Sequence, residues 1–212
     1  MKKILMISTI AVLLITLVYQ GSMAFFVAEQ SVATPISAGK LGIKLVDYSE
    51  EKNAVMSKKG YQFEKAMPGA VLSRQVHVEN VEQKTLYLRV SATKYWTDKD
   101  GNKLPDKDAS LIKLTTKDPT NWIIRDDAAN SNSEIVYFYY RYPLKANDKT
   151  TNIMDAIEIS SQLTNQEYAE HQVKVLIEAN AVQEYAAKEA IENEWGMDAT
   201  FDKNGVLLDI KE

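Results

Sequence analysis

The fold is decided by a stretch near the end of the chain, Val173-Lys174-Val175-Leu176-Ile177-Glu178-Ala179-Asn180-Ala181. Apolar side chains stand at every second position from Val173 to Ala181, and successive side chains of a strand point to opposite faces of a sheet. The stretch therefore predicts a long antiparallel strand with one face buried.

The same alternation recurs at three earlier places, Leu41 to Asp47, Gln75 to Glu79 and Leu86 to Thr93. Turn residues separate these stretches: Pro68-Gly69, Asp98 to Asn102, Lys117 to Pro119 and Asn147-Asp148. The stretch from Ile135 to Tyr142 is apolar or aromatic on both faces, which is typical of a central strand covered by a second layer. We expect its tyrosines to pack in the core and at its rim, and the alternative is an exposed tyrosine face that binds sugars or a partner protein. We therefore expect an all-β fold, a sandwich of two packed sheets.

Helix is predicted at the periphery only. Residues 184 to 195 form an amphipathic pattern, and Gly196 can end the helix. Its apolar side comprises Ala187, Ala190, Ile191 and Trp195. A shorter helical turn is expected from Leu163 to Ala169, and the stretch from Phe201 to Ile210 predicts a terminal hairpin around Asn204-Gly205.

The beginning of the chain has the pattern of a secretory signal peptide. Lys2 and Lys3 precede an apolar run from Ile4 to Val18, and small residues stand at positions 22 and 24. We expect cleavage between Ala24 and Phe25, with an uncleaved membrane anchor as the alternative. The protein is then secreted and meets the membrane only transiently, during export.

Composition excludes several classes of partner and anchor. Removing 24 of the 212 residues leaves 188, enough for one domain, and takes the formal net charge from −4 to −6. That charge argues against nucleic acid as a partner. The chain has no cysteine, which excludes a lipid-modified anchor and is more typical of Gram-positive export than of a disulfide-forming route.

Several motifs, in this order, resemble the TasA and camelysin family of exported proteins from Bacillus and its relatives. They are Ala24-Phe25-Phe26, Ala38 to Ile43, Pro68-Gly69, Glu79-Asn80, Leu86 to Val90 and Glu178 to Gln183. The chain departs from the family pattern at Val27-Ala28-Glu29, in place of an acidic or Asn/Ser-rich spacer. It departs again at Val81, where the family often has glycine.

The resemblance implies a jelly-roll-like sandwich, a signal peptidase of the SipW type and a role as subunit of a surface or biofilm-matrix fibre. The implied domains are a signal peptide (1–24), an extended donor segment (25–37) and one sandwich domain (38–212). In such fibres the donor segment adds as a strand to the neighbouring subunit. The implied partners are further copies of the chain and accessory matrix proteins.

The residues expected to make the assembly contact are Phe25, Phe26, Val27 and Val32. Alternate side chains of an added strand can fill pockets on the acceptor, which suits these apolar residues. The alternative is that Phe25 and Phe26 pack against their own domain. The sequence does not distinguish insertion within one chain from insertion between chains.

Camelysin is described as a protease, so a metalloendopeptidase is the enzymatic alternative to a fibre subunit. A monomeric surface-binding module is the third hypothesis. The chain has two histidines, His77 and His171, and no H-E-x-x-H pair that could bind zinc. His77 is expected to face solvent from its strand and His171 to lie at a helix-to-strand junction. We assign no catalytic, metal or cofactor residue and expect no enzyme.

The segment from Asp98 to Asn102 begins like a calcium loop. An EF-hand needs glycine at its sixth position and glutamate at its twelfth, whereas Gly101 is fourth and Ala109 is twelfth. A hairpin turn after Trp96 is the simpler interpretation.

Overall fold

Strands make up most of the structure. The computed structural model describes residues 28–31, 42–47, 55–57, 60–63, 67–126, 133–163, 168 and 171–212. The elements are β1 (Ala28–Ser31), β2 (Ile43–Asp47), β3 (Val55–Ser57), β4 (Gly60–Phe63), β5 (Val71–Asn80), β6 (Leu86–Thr97), β7 (Ile112–Thr115), β8 (Trp122–Asp126), β9 (Ile135–Tyr140), β10 (Met154–Ile159), β11 (Gln172–Gln183), α1 (Ala187–Trp195), β12 (Asp198–Phe201) and β13 (Leu207–Lys211).

Two sheets form the sandwich. The large sheet has the order β3-β4-β11-β6-β9-β8, with β1 also paired to β11, and the small sheet has the order β2-β5-β10-β7. From β5 to β11 the chain changes sheet at every connection except that between β8 and β9. The predicted all-β, jelly-roll-like sandwich is confirmed.

The centre of the large sheet is the antiparallel pair β6 and β11. These strands pair along their whole length, from Gln172 opposite Thr97 to Gln183 opposite Leu86. The predicted stripe on β11 faces the core: Val173, Val175, Ile177, Ala179 and Ala181 are all buried. The same core includes Val76 and Val78 of the small sheet. The period-two pattern is thus explained by burial of one strand face between two sheets.

A third layer covers the outer face of the large sheet. It consists of α1 and the β12–β13 hairpin, and its core is separate from that between the sheets. The Tyr87 hydroxyl on β6 donates to the carbonyl of Gly205, at 2.6 Å. On β9, Tyr139 lies beside Trp195, with ring centroids 5.9 Å apart. The expected second layer over the aromatic strand is the small sheet, and the C-terminal elements cover the outer face as well, which the sequence did not predict.

The C-terminal predictions hold with small changes of boundary. The helix starts at Ala187, after a turn in which the Ala187 N–H donates to the Glu184 carbonyl at 3.1 Å. It ends at Gly196, which has φ +65° and whose N–H donates to Glu192. Its buried residues are Ala187, Ala190, Ile191 and Trp195, as predicted. The β12–β13 hairpin contains the predicted Asn204-Gly205 turn.

Several predicted segments lie outside the described residues. They include the signal peptide with its cleavage site, the residues Phe25, Phe26, Val27 and Val32, and most of the predicted turn at 163–169. In the part of the chain that is described, no helix is both long and apolar enough to cross a membrane.

Candidate functional site

The predicted donor segment contributes one described strand, β1. It pairs antiparallel with β11 of its own chain, from Ala28 opposite Ala181 to Ser31 opposite Glu178. The same strand β11 pairs with β4 at Val173 to Val175 and, along its other side, with β6 throughout. One edge of β11 is therefore shared by β4 at one end and by β1 at the other.

The part of β11 that receives β1 is buried at three of its four positions, Ala179, Asn180 and Ala181. Ala179 and Ala181 are fully buried, and each has only a methyl group as its side chain. On the core side of β11 these two positions therefore offer little side-chain surface to an added strand. Asn180, between them, points to the outer face, where its Oδ1 accepts from Arg89 Nη2 at 3.1 Å. Recognition of β1 over these four positions therefore rests on main-chain hydrogen bonds.

Such a short ladder is close to balance on its own. Four paired residues form about four main-chain hydrogen bonds, each with a net contribution of about 1 kcal/mol. Ordering four backbone residues costs about 4–8 kcal/mol. Main-chain pairing over these four positions is therefore not enough by itself to hold the strand.

The two histidines are not brought together. His77 lies on the face of β5 away from the core, because Val76 and Val78 on either side of it point inward. His171 precedes β11 in the other sheet, where its ring meets Tyr168 edge-on at 6.0 Å between centroids. Among the described residues, no three His, Asp or Glu side chains are grouped so that they could hold a metal ion.

The prediction that His77 faces solvent is wrong. Only 6% of the residue is exposed, and Nε2 lies 3.2 Å from Oε1 of Glu79. Its strand is internal to the small sheet, between β2 and β10, and Val46 lies directly opposite on β2. The carboxylate of Glu79, two residues along the same face, lies against the ring, and this contact is one that the alternation of β5 does not predict.

The Asp98 loop forms a hairpin turn, as the simpler interpretation predicted. The Asp98 N–H donates to the Asn102 carbonyl at 3.0 Å, and Gly101 has φ +85°. The Asp98 carboxylate accepts from the Asn102 side chain and from the N–H groups of Asn102 and Asp100. These bonds, led by that from the Asn102 side chain, lower the pKa of Asp98. Both carboxylate oxygens are thus engaged within the turn.

Sequence reasoning missed a cleft on the outer face, between the large sheet and the C-terminal layer. Its volume is about 480 Å³. Its walls come from β6, β8 and β9 on one side and from α1 and β13 on the other. Three of its residues are Arg89, Tyr137 and Trp195, which are separated along the chain by 48 and 58 positions. No local motif could have grouped them.

The fold and its sites define an all-β sandwich with a strand-receiving edge and an outer cleft. No protein-family model matches the chain, and no curated protein matches it. One solved structure, a crystal structure of a complex between CaDoc0917 and CaCohA2 at pH 5.5, is similar to part of it at 16% identity. The similarity covers 46% of this chain and 67% of that chain with a TM-score of 0.25, which is too low to support an argument about function.

Proposed function

We propose that the protein is an exported structural subunit of a surface or biofilm-matrix fibre. Subunits join when the segment from Phe25 to Ser37 of one copy adds as a strand to the next. The observation that supports this is the pairing of β1 with β11, because it lies within the segment that the sequence predicts to be freed by cleavage after Ala24. The resemblance to the TasA and camelysin family, which implied this donor segment, also supports it.

The pairing within one chain is compatible with exchange between chains. The β11 edge offers the same N–H and C=O groups to the strand of its own chain and to that of a neighbour. A contact in which one surface donates and a different surface receives is heterologous, and it extends into a filament unless the rotation closes a ring. The fraction of subunits that pair with a neighbour should then rise with protein concentration. It should also rise if pairing the segment with β11 of its own chain strains the chain.

A pair of substitutions in β1 tests the role of its main chain. Replacing both Glu29 and Gln30 with proline removes two adjacent N–H groups, of which one faces β11 in an antiparallel ladder. Replacing both with alanine removes the side chains and keeps the N–H groups, which provides the matched control. Negative-stain microscopy of the mature protein should show fibres with the alanine pair and none with the proline pair.

Deletion of residues 25–37 gives a second test. The shortened chain should form no fibres, and a synthetic peptide of residues 25–37 should bind to it, whereas a scrambled peptide of the same composition should not. Fibres that persist without the segment, or in the proline variant, would show that another surface joins the subunits.

A further inference from the structure

The edge of β11 that receives β1 continues beyond the described pairing. The last described pair is Ala28 opposite Ala181, whereas β11 itself runs on for two more residues. The N–H of Glu184, the next residue, donates to the Thr85 carbonyl at 3.0 Å, so the backbone keeps pairing with the β6 side for one residue more. Three further positions of this edge, 182 to 184, can therefore receive chain that precedes β1.

The backbone at the end of β11 is oriented for such pairing. In an antiparallel strand, consecutive residues turn their N–H and C=O groups to opposite edges. The bond from Glu184 to Thr85 directs the groups of Glu184 toward β6, so those of Gln183 point to the edge that receives β1. In the register of β1, the three residues that precede it would come opposite positions 182 to 184, with Phe25 opposite Glu184.

A cavity of about 390 Å³ lies at this end of the edge, and its lining includes Gln183, Glu184 and Tyr185. Tyr185 is 94% exposed. None of the ion pairs within the described part of the chain includes Glu184. Lys84, the cation that lines the cavity, donates instead to the side-chain oxygen of Gln183 at 3.3 Å. The cavity thus presents a carboxylate without a cation next to an exposed aromatic ring.

Negative charge is concentrated beside this cavity. Burial contributes most to the raised pKa of Tyr87, and the carboxylates of Glu184 and Asp202 raise it further, which places both of them near the same hydroxyl group. Glu184 Oε1 lies 4.0 Å from the point where a Cβ on Gly205 would stand, on the side of the outer layer. Since no ion pair among the described residues neutralises either carboxylate, a cation is favoured at this end of the layer.

We propose that this cavity binds the free N-terminus of the mature chain, with the α-ammonium group of Phe25 paired to the Glu184 carboxylate. This rests on the proposed function, because it concerns the strand whose addition joins the subunits. The pairing is the same whether the terminus belongs to its own chain or to a neighbour. Phe25 brings a charge and an aromatic ring together, which matches a carboxylate beside Tyr185.

Cleavage after Ala24 creates the charge on which this contact depends. In the precursor the nitrogen of Phe25 is an uncharged amide, whereas in the mature chain it is an amine with a pKa of about 7.7–8.0, which is charged at pH 7. The register also makes the contact specific for one cleavage position. A residue occupies about 3.4 Å of an antiparallel strand, so a chain that begins at Ala24 carries its ammonium group that far beyond Glu184.

Binding of synthetic peptides to residues 38–212 of the protein tests this pairing. This shortened chain keeps every residue of both described cores. The peptide of residues 25–37 is used with a free and with an acetylated N-terminus. Because an exposed ion pair contributes at most about 1 kcal/mol, acetylation should weaken binding by about threefold to fivefold. A peptide of residues 24–37, which keeps the whole donor segment and a free amine, should bind as weakly as the acetylated one.

Two substitutions show whether Glu184 is the partner. In Glu184→Gln, acetylation of the peptide should change the affinity by less than about 1.5-fold, because the charge it removes no longer has a carboxylate opposite. The matched control is Glu189→Gln, which removes an exposed carboxylate of α1 outside the cavity and should leave the effect of acetylation unchanged. Both positions are exposed, and thermal unfolding checks that both variants remain folded.

Fibre formation by the full mature chain gives the second readout. At equal concentration, Glu184→Gln should form fibres more slowly than Glu189→Gln, as followed by light scattering. Peptide binding that acetylation leaves unchanged, or weakens equally in the two variants, would overturn the pairing with Glu184 and leave strand addition in place. Equal rates of fibre formation in the two variants would do the same. If neither peptide bound and no fibres formed, strand addition itself would be overturned, and the capture of the N-terminus with it.

Discussion

Replacement of Asn80 with alanine should destabilise the domain far more than removal of one surface amide. Asn80 ends β5 and is 1% exposed. Its Nδ2 donates to the carbonyls of Lys84, Leu144 and Lys145 at 2.8, 3.0 and 3.0 Å. Its Oδ1 accepts from the Glu82 N–H at 2.9 Å. One side chain therefore joins the end of a small-sheet strand to two loops.

The magnitude follows from these bonds. Nδ2 has two hydrogens for its three acceptors, and Oδ1 accepts one further bond. The side chain therefore forms about three hydrogen bonds, at about 1 kcal/mol each. The groups left behind are shielded from water, so the loss should reach about 3–4 kcal/mol. For a domain of this size, that corresponds to a fall in Tm of about 10 °C.

Aspartate at position 80 is a sharper variant, since it keeps the shape and replaces two donors with a carboxylate facing three carbonyls. Burial and these carbonyls raise the pKa of the introduced carboxyl in the folded state above that of the unfolded chain. Stability is then greatest below the unfolded pKa, about 4, and falls as pH rises toward the folded pKa. The deficit relative to wild type should therefore grow between pH 4 and pH 7.

Chemical denaturation followed by tryptophan emission measures both variants. The matched control is Asn193→Ala, at an exposed position of α1, which should change the free energy of unfolding by less than about 0.5 kcal/mol. A loss below about 1 kcal/mol for Asn80→Ala would refute the reasoning, because it would mean that water or the backbone replaces the lost bonds.

The remaining predictions concern the outer layer and catalysis. Burial, with smaller effects from Glu184 and Asp202, raises the pKa of Tyr87 from 10.0 to about 12. The neutral Tyr87 hydroxyl therefore contributes fully to stability below pH 10, and this contribution is lost as pH rises toward 12. The fall of stability with alkaline pH should be less steep in Tyr87→Phe. Gly205→Ala should destabilise more than Gly196→Ala in a melting experiment, because both have positive φ but only at Gly205 would the new Cβ lie 2.9 Å from the Tyr87 hydroxyl. Purified mature protein should leave casein intact with or without a chelator; chelator-sensitive cleavage that disappears in His77→Ala would instead favour the peptidase alternative.

Two arginine side chains attach the C-terminal layer to the large sheet. Arg125 on β8 donates to Asp209 and to the Ile210 carbonyl on β13, and Arg141 donates to the Leu207 and Leu208 carbonyls. These bonds attach the hairpin to the edge of the large sheet, directly beside the cleft. Variants that remove these bonds should therefore lower the melting temperature of the protein without touching the strand-receiving edge of β11.

Local patterns determined the strands, the terminal helix and the hairpin from sequence alone. The alternation from Val173 to Ala181 has the two-residue period of a strand with one face in a core, and the side chains that share the buried face of α1 recur at helical spacing. Gly196 and Asn204-Gly205 mark the ends of elements because the backbone there needs positive φ or a tight turn. Such information lies within a few neighbouring residues.

Tertiary structure alone decided which strands are internal, and with them the environment of each outward side chain. β5 lies between β2 and β10, and His77 on its outer face is only 6% exposed, which the alternation of β5 does not predict. Arg89, Tyr137 and Trp195 form one cleft because β6 pairs with β9 and α1 folds back over both. Sequence patterns determine which face of an element is apolar, whereas contacts between distant segments depend on how the sheets are ordered and packed.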